Sequence, residues 1–398
     1  MADKKHDVII VGSGPAGTTA ATLLAQYGHS VLMIERERHP RFHIGESLLP
    51  MSAPVFQRLG LKWKDNEYLP KSGAEFIDEK SGQSMRFPLA GENQPYQVER
   101  ARFDLMMAEN AVRQGATLYQ DEIVKEVNIH NDRVEVNTDK GIYSAQYFID
   151  ASGRSALMGK KQASIKRITN LGCYSLYTHY CNLTSQAAQA MHTSGDTKIL
   201  MLDIGWFWII PLSNQRMSIG IIVQKTEGLT LKGAELFEHY REASPFLCEL
   251  LEGAEQEAPV RAEADFSFSN EKRFGTRYAC CGDSSGFLDP VFSSGVFIAV
   301  NSAERVVDRL HQAFIDGAEA DPNLHQEDDK AYVLGFRSMQ LFVERFYQHD
   351  MVHRLFFEET RNHDVEQDIA GILAGDLWSG NNAFQKALIG GRQNRKAS

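Results

Sequence analysis

The sequence predicts an α/β fold in which a mostly parallel sheet with its helices is interrupted by a second, antiparallel sheet and followed by a helical C-terminal region. Three observations predict it. The first is a glycine loop between two short apolar runs, "HDVIIVGSGPAGTTAATLLAQYGHSVLMIERE". It reads as a buried strand from Val8 to Val11, a tight turn with Gly12, Gly14 and Gly17, a small-residue helix, and a second strand ending at Glu35. The second is a pair of later apolar runs that end in Asp/Gly turns. These are "YFIDASGR" and "YACCGDSSGFLDPVFSSGVFIAVNSAERVV", the latter passing through Gly282-Asp283 into a helix that starts near Gly295. The third is a set of strand-like runs inserted between them: "AEFIDE", "SMRFPL", and the stretch from about Cys173 through "KILMLDIGWFWIIPL" to "RMSIGIIVQK".

The glycine loop carries the first chemistry. Gly12 permits the turn, Gly14 lets backbone approach a pyrophosphate, and Gly17 allows the helix to pack closely, while the helix N-terminus offers free N–H groups to phosphate. Glu35 follows at about the 20-residue spacing that places an acid on a ribose hydroxyl. Loop residues Ser13 and Ala16, and Arg36 beside the acid, complete the candidate dinucleotide contacts. The loop by itself does not choose between FAD and NAD.

Between the nucleotide-fold segments, "VERARFDLMMAENAVRQGATLYQDEIVKEVNI" places Phe103, Met106, Met107 and Ala111 at helical spacing after Arg100, then a strand around Val124. "VKEVNIHNDRVEVNT" alternates on both sides of Asn131-Asp132 and reads as a hairpin. The inserted strands hold "GWFWIIPL", with two of the chain's four tryptophans one residue apart. Such a pair either fills a core, as aromatics usually do, or forms a partition. Past residue 310 the chain turns charged, then helical from about Ala331 to Arg361. Phe336, Phe342, Phe346, Tyr347, Phe356 and Phe357 there suit core packing or a roof over a pocket. The expected organisation is a discontinuous nucleotide-binding domain (residues 1–70, 96–165 and 270–310), a second sheet domain (71–95 and 166–269) and a helical region (311–398).

Composition narrows the partners. The chain has 398 residues, 43% of them hydrophobic and 24% charged, with a formal net charge of −10. That balance argues against nucleic acid and an anionic membrane. No apolar window is long enough to span a membrane and no signal peptide opens the chain, so a cytoplasmic protein is expected. Five cysteines without CxxC spacing suit a reducing compartment and exclude a zinc or redox pattern. No metal is expected.

The order of the three nucleotide-fold segments resembles that of FAD-containing hydroxylases related to p-hydroxybenzoate hydroxylase. The resemblance selects FAD. It places Asp283, after Gly282, on the ribityl chain and Arg100 against the flavin. The helix start at Gly295 and Val296 would point at the ring, where its dipole favours the negative charge of reduced flavin. Ser47 and Val124 join the candidate FAD contacts.

Trp206-Phe207-Trp208-Ile209-Ile210-Pro211 fits WxWxIP, the pattern of flavin-dependent halogenases, and "HPRFHIGESLLP" resembles that family's GES segment at the flavin. Lys71 in "YLPKSGAEF" lies where the family carries its reactive lysine. "FLDPVFSSGV" and "ILAGDLWSG" are similar to the branch that halogenates pyrroles on acyl or peptidyl carrier proteins. The resemblance implies that Trp206 and Trp208 keep substrate from the flavin. Halide would then be oxidised to hypohalous acid, and Lys71 would deliver it as a hydrogen-bond donor or a haloamine. The backbone N–H groups of Ser293, Ser294 and Gly295 would hold chloride or bromide. Phe292 stands where the tryptophan-specific branch has a glutamate, so a ring activated on its own is expected. Reduced FAD would come from a separate flavin reductase, since no second nucleotide fingerprint is visible. The alternatives are a free phenol or pyrrole as substrate, a flavin-dependent aromatic monooxygenase, or a non-catalytic flavoprotein.

Overall fold

The computed structural model describes residues 5–63, 66–89, 93–171, 173–224, 230–264, 266–347, 363–378 and 380–396. The glycine-loop segment folds as the sequence predicts, with strand Lys5–Val11, helix Pro15–Gln26 and strand Val31–Ile34. Lys5–Val11 lies between two parallel neighbours, Val31–Ile34 and Ile142–Asp150, and Tyr278–Cys280 adds a parallel strand beyond. Val11 pairs with both Ile34 and Asp150, so three strands end at one level and bring Gly12, Glu35 and Ala151 together. This is the carboxyl edge at which open α/β sheets bind ligands. The expected hairpin is present as Val124–Ile129 and Val134–Thr138, paired along Ile142–Asp150.

The second sheet runs Gln83–Pro88, Gly73–Asp78, Thr197–Leu202, Gly205–Leu212, Arg216–Gln224 and Cys173–Cys181. It differs from expectation in one pairing: Gly73–Asp78 and Thr197–Leu202 are parallel, because the chain leaves for the nucleotide fold and returns between them. A small sheet of Ile165–Arg167, Phe268–Asn270 and Gly286–Phe287 was not foreseen, its strands being too short to show a period.

Gly205–Leu212 is buried on both faces. Trp206, Trp208 and Ile210 belong to one core cluster, and Phe207 and Ile209 to another with Leu236 and Phe237. Its proline is tolerated because pairing with Thr197–Leu202 runs only as far as Ile209, leaving Pro211 past that neighbour's ladder. The C-terminal helices begin with Gly295–Asp316 and Gln326–Phe346, the latter five residues ahead of the expected start at Ala331. The expected continuation through Phe356 and Phe357 lies outside the described residues. No described helix is long and apolar enough to cross a membrane, and all five cysteines are free.

Candidate active site

A cavity of about 1030 Å³ runs from the carboxyl edge of the parallel sheet to the face of the second sheet that carries the two tryptophans. At its first end the glycines divide the work as their surroundings require. A Cβ on Gly12, where φ is +98°, would meet the Ala151 carbonyl oxygen at 2.3 Å, and one on Gly17 would meet the Gly12 carbonyl oxygen at 2.0 Å. Gly14 is different. A Cβ there would meet only Arg41 Nη2, at 3.6 Å, and Gly14 lines the cavity. Its missing side chain leaves room for a ligand.

Glu35 also lines the cavity, and it braces the loop. Ser13 donates from both N–H and Oγ to Oε2 at 2.9 and 3.0 Å, and the Glu37 N–H donates to Oε1 at 3.1 Å. Burial pushes the carboxyl up, but Arg41 at 3.6 Å and these donors outweigh it and hold it below its ordinary value. Ala16, Arg36, Ser47, Arg100, Val124 and Asp283 line the same cavity. Ser13, Gly17 and Gly282, expected as cofactor contacts, are not part of its lining and shape it from behind. Gly282, at φ +63°, lets the turn close on Ala16 and Ala299. Arg100 is largely committed elsewhere: Nε and Nη2 hold Asp104 at 2.8 and 3.1 Å, and Nη1 donates to the Ile44 carbonyl at 2.9 Å.

The Asp283 carboxyl accepts no hydrogen bond from the described residues, and burial pushes its pKa up to about 6. An unpartnered carboxyl opening into the cavity, the open side of Gly14, and the start of helix Gly295–Asp316 on the same wall together fit a flavin dinucleotide.

The helix start differs from expectation in one amide. Ser293, in the left-handed region at φ +55°, donates its N–H to the Pro290 carbonyl at 2.9 Å, so that group is spent in the turn before the helix. The free amides at this end are those of Ser294, Gly295 and Val296, the first donors of a helix being unpaired by construction. All three residues line the cavity.

At the other end stand Trp206 and Trp208, their rings 6.1 Å apart and tilted by 53°. Gly220, directly across from Trp208, makes room for its indole, since a Cβ there would meet Cζ2 at 2.2 Å. Trp208 Nε1 donates to Ser218 Oγ at 3.1 Å. Lys71 does not line the cavity. It is 1% exposed, with Nζ donating to the Leu48 carbonyl at 3.4 Å, one residue along from the lining Ser47. Burial pushes its pKa down to about 7, with Asp196 acting weakly the other way. Arg86, bonded to Asp196 at 2.7 and 3.0 Å, already claims that carboxylate.

Sequence reasoning missed several groups here. Glu46 of the GES segment accepts from or donates to His179 Nε2 at 3.0 Å through each oxygen, a buried pair tying that segment to strand Cys173–Cys181 of the second sheet. Its partner is a single histidine more than 130 residues away, and no local pattern marks it. Phe292 is buried and stacked on Phe342 at 4.2 Å, and Phe346 meets Trp206 edge-on at 6.4 Å. These C-terminal aromatics therefore pack as core, whereas Phe336 reaches the cavity.

The family model of tryptophan halogenases matches residues 7–90 and 77–386. A 1H-pyrrole-2-carbonyl-[peptidyl-carrier protein] chlorinase of Pseudomonas fluorescens is 26% identical over 413 residues, covering 96% of this chain and 91% of the relative. The corresponding brominase of Pseudoalteromonas luteoviolacea is 28% identical, with 97% of each chain covered. A solved flavin-dependent brominase superposes with a TM-score of 0.87 over 99% of this chain and all of that one; at 24% identity it shows the fold. The chain belongs to the tryptophan halogenase family, and it is a flavin-dependent halogenase.

Proposed function

We propose that this halogenase acts on a pyrrolyl group tethered to a carrier protein. Bound in its reduced form, FAD supplies the electrons with which dioxygen oxidises halide to hypohalous acid. Everything else falls to the chain. In this reading Gly12, Gly14, Ala16, Glu35, Arg36, Ser47, Arg100, Val124 and Asp283 hold the cofactor, and the Ser294–Val296 amides hold chloride or bromide at the helix N-terminus. Trp206 and Trp208 keep the organic substrate and bulk water out of the cavity.

Lys71 receives the oxidant beyond the wall. The observation that carries the reading is this pairing of a tryptophan partition with a fully enclosed lysine whose pKa is near 7. Near neutral pH such an amine populates both forms, so it serves as ammonium donor to hypohalous acid or as neutral nucleophile. Phe292 supports a ring activated on its own. Where a carboxylate would polarise the ring, this chain offers a phenyl stacked against another phenyl. The two carrier-protein relatives, matched over nearly their whole lengths, support delivery of the ring on a carrier arm.

Reduced FAD is supplied by a separate flavin reductase, since the single cavity-lining glycine loop is the one nucleotide fingerprint in the sequence. The test is intact mass spectrometry of a pyrrolyl-carrier protein and of free phenols and pyrroles after incubation with reductase, FAD and each halide. Gain of halogen on the carrier-bound ring is expected. Halogen on free substrates alone would overturn the tether, and oxygen without halogen would overturn the reaction.

A further inference from the structure

Trp206 is 1% exposed, so its indole N–H needs an acceptor inside the protein. The acceptor is Tyr347 Oη, at 3.0 Å. Tyr347 lies just past helix Gln326–Phe346, whose Phe342 and Phe346 serve as packing. Its own O–H donates to Asp289 Oδ2 at 2.5 Å, and Cys173 Sγ donates to the same Oη at 3.7 Å. The chain of bonds continues. Asp289 Oδ1 accepts the Val291 N–H at 3.0 Å, capping the short turn Pro290–Phe292. That turn sets Ser293 in its left-handed conformation and so aims the amides of Ser294, Gly295 and Val296.

We propose that Tyr347 is a positioning residue that locks the tryptophan wall to the halide-binding turn. One hydroxyl ties two elements about 80 residues apart in sequence, the Trp206 indole and the Asp289 carboxyl. A bond to a carboxylate is stronger and more directional than one between neutral groups. Removing the shared hydroxyl leaves a buried donor and a buried acceptor unmet at once, costing each end its fixed orientation. The wall and the anion end then lose their common register, although neither has lost a residue that touches halide. This rests on the reading of the Ser294–Val296 amides as the halide end.

Tyr347→Phe tests it, because the ring still packs edge-on against Phe346, 5.7 Å between centroids, and only Oη is removed. Two readouts need no turnover. In the ligand-free protein, hydrogen exchange of the Trp206 indole should quicken by about 10-fold or more, its resonance being identified by its loss in Trp206→Phe. The indoles of Trp63, Trp208 and Trp378 should be unchanged. In the FAD-loaded protein, bromide titrated against flavin absorbance should bind about 10-fold more weakly, while FAD affinity stays the same. During turnover the loss should fall on the halide KM rather than on kcat at saturating halide.

Asp289→Asn, made at the other end, should move the Trp206 indole signal across two hydrogen bonds, and the double variant should weaken bromide no further than either single one. Indole exchange and bromide affinity both within about twofold of wild type in Tyr347→Phe would overturn the proposal, as would additive effects of the two substitutions. If Tyr347→Phe does not fold, Asp289→Asn decides alone, by shifting the Trp206 indole or leaving it in place. Failure of the wild-type protein to halogenate any substrate would count against the function and leave these binding readouts to judge the coupling.

Discussion

The two ends of the cavity are built by different means. At the nucleotide end the backbone is the working surface: Gly12 and Gly17 sit where a Cβ would overlap a carbonyl oxygen, and the polar side chains there are partly consumed by the protein itself, Glu35 in bracing the loop and Arg100 in holding Asp104 and the Ile44 carbonyl. At the wall end side chains are the working surface, and the backbone is an ordinary buried strand. Past Gly205, whose Cβ would meet the Ile222 carbonyl oxygen at 1.8 Å, residues 206–212 could carry other apolar residues and remain a strand, whereas Gly12 and Gly17 admit no side chain. Damage at the first end should therefore appear as lost folding or lost cofactor. At the second it should appear as altered chemistry in a protein that still holds its cofactor.

Replacing Trp206 and Trp208 together by alanine breaks the comparison most severely. Each truncation of a buried tryptophan costs about 3–5 kcal/mol, so the measurements belong at a temperature where the variant is folded. Opening the wall should release hydrogen peroxide and lower halogenated product per dioxygen consumed, because the oxidant needs a dry chamber. Were packing their whole contribution, stability would fall and that ratio would not. Oxygen uptake, peroxide and product recorded together distinguish the two.

Lys71→Ala should leave FAD binding and oxygen consumption intact and reduce halogenation by at least about 100-fold, the low end of what a positioned proton donor or nucleophile contributes. Lys71→Arg should fail nearly as badly, since guanidinium stays protonated and cannot match the ammonium's point geometry. Halogenation above a few per cent of wild type in Lys71→Ala would remove the lysine from the mechanism.

The same contrast explains what could be read in advance. The glycine loop, Glu35 and the helix at Gly295 were legible because a tight turn, a close approach and a helix start each demand particular residues at fixed spacing. The tryptophan pair was legible as function only through its likeness to WxWxIP, since alternating aromatics in a strand spell core equally well, and here they are core on one face. Lys71 was legible the same way; nothing local says that a lysine after proline is 1% exposed. Other features were not legible. Arg41 and Asp104, the Glu46–His179 pair, and the loss of the Ser293 amide to Pro290 all depend on contacts made only after distant segments meet. The parallel pairing of Gly73–Asp78 with Thr197–Leu202 belongs with them.

Within the nucleotide end the glycines should separate by what their missing Cβ faces. Gly17→Ala puts a methyl 2.0 Å from a backbone oxygen, so the helix must shift and the ligand-free protein should lose about 1–3 kcal/mol. Gly14→Val points into open cavity beside only Arg41 Nη2. Its ligand-free stability should lie within about 0.5 kcal/mol of wild type, while FAD affinity falls sharply. Equal stability losses in both, measured by urea unfolding without cofactor, would show that the division drawn from their surroundings is wrong.

The gentlest test uses pH, because stability rises with pH at both ends but in separate windows, the carboxylate range at one and about 7 to 10.5 at the other. At the nucleotide end the Glu35 and Asp104 carboxyls are held below their ordinary values, by Arg41 and Arg100 against the cost of burial. Their stabilisation is complete above the ordinary carboxylate range and is lost as pH falls through their folded-state values. At the wall end Lys71 is lowered from 10.5 to about 7. Between those values the unfolded chain keeps the proton that the folded protein has released, so stability rises with pH across that window. The slope from this one group approaches about 1.4 kcal/mol per pH unit. Below pH 7 the lysine is charged in both states and its burial penalty is constant and full. Above 10.5 it contributes nothing. Lys71→Met removes the group and keeps the volume, so the variant's advantage over wild type in urea midpoint should be largest at pH 7 and below, then shrink steadily toward pH 10. Parallel curves for the two proteins over that range would mean that Lys71 titrates near its ordinary value, and that the wall end does not hold a neutral amine at working pH.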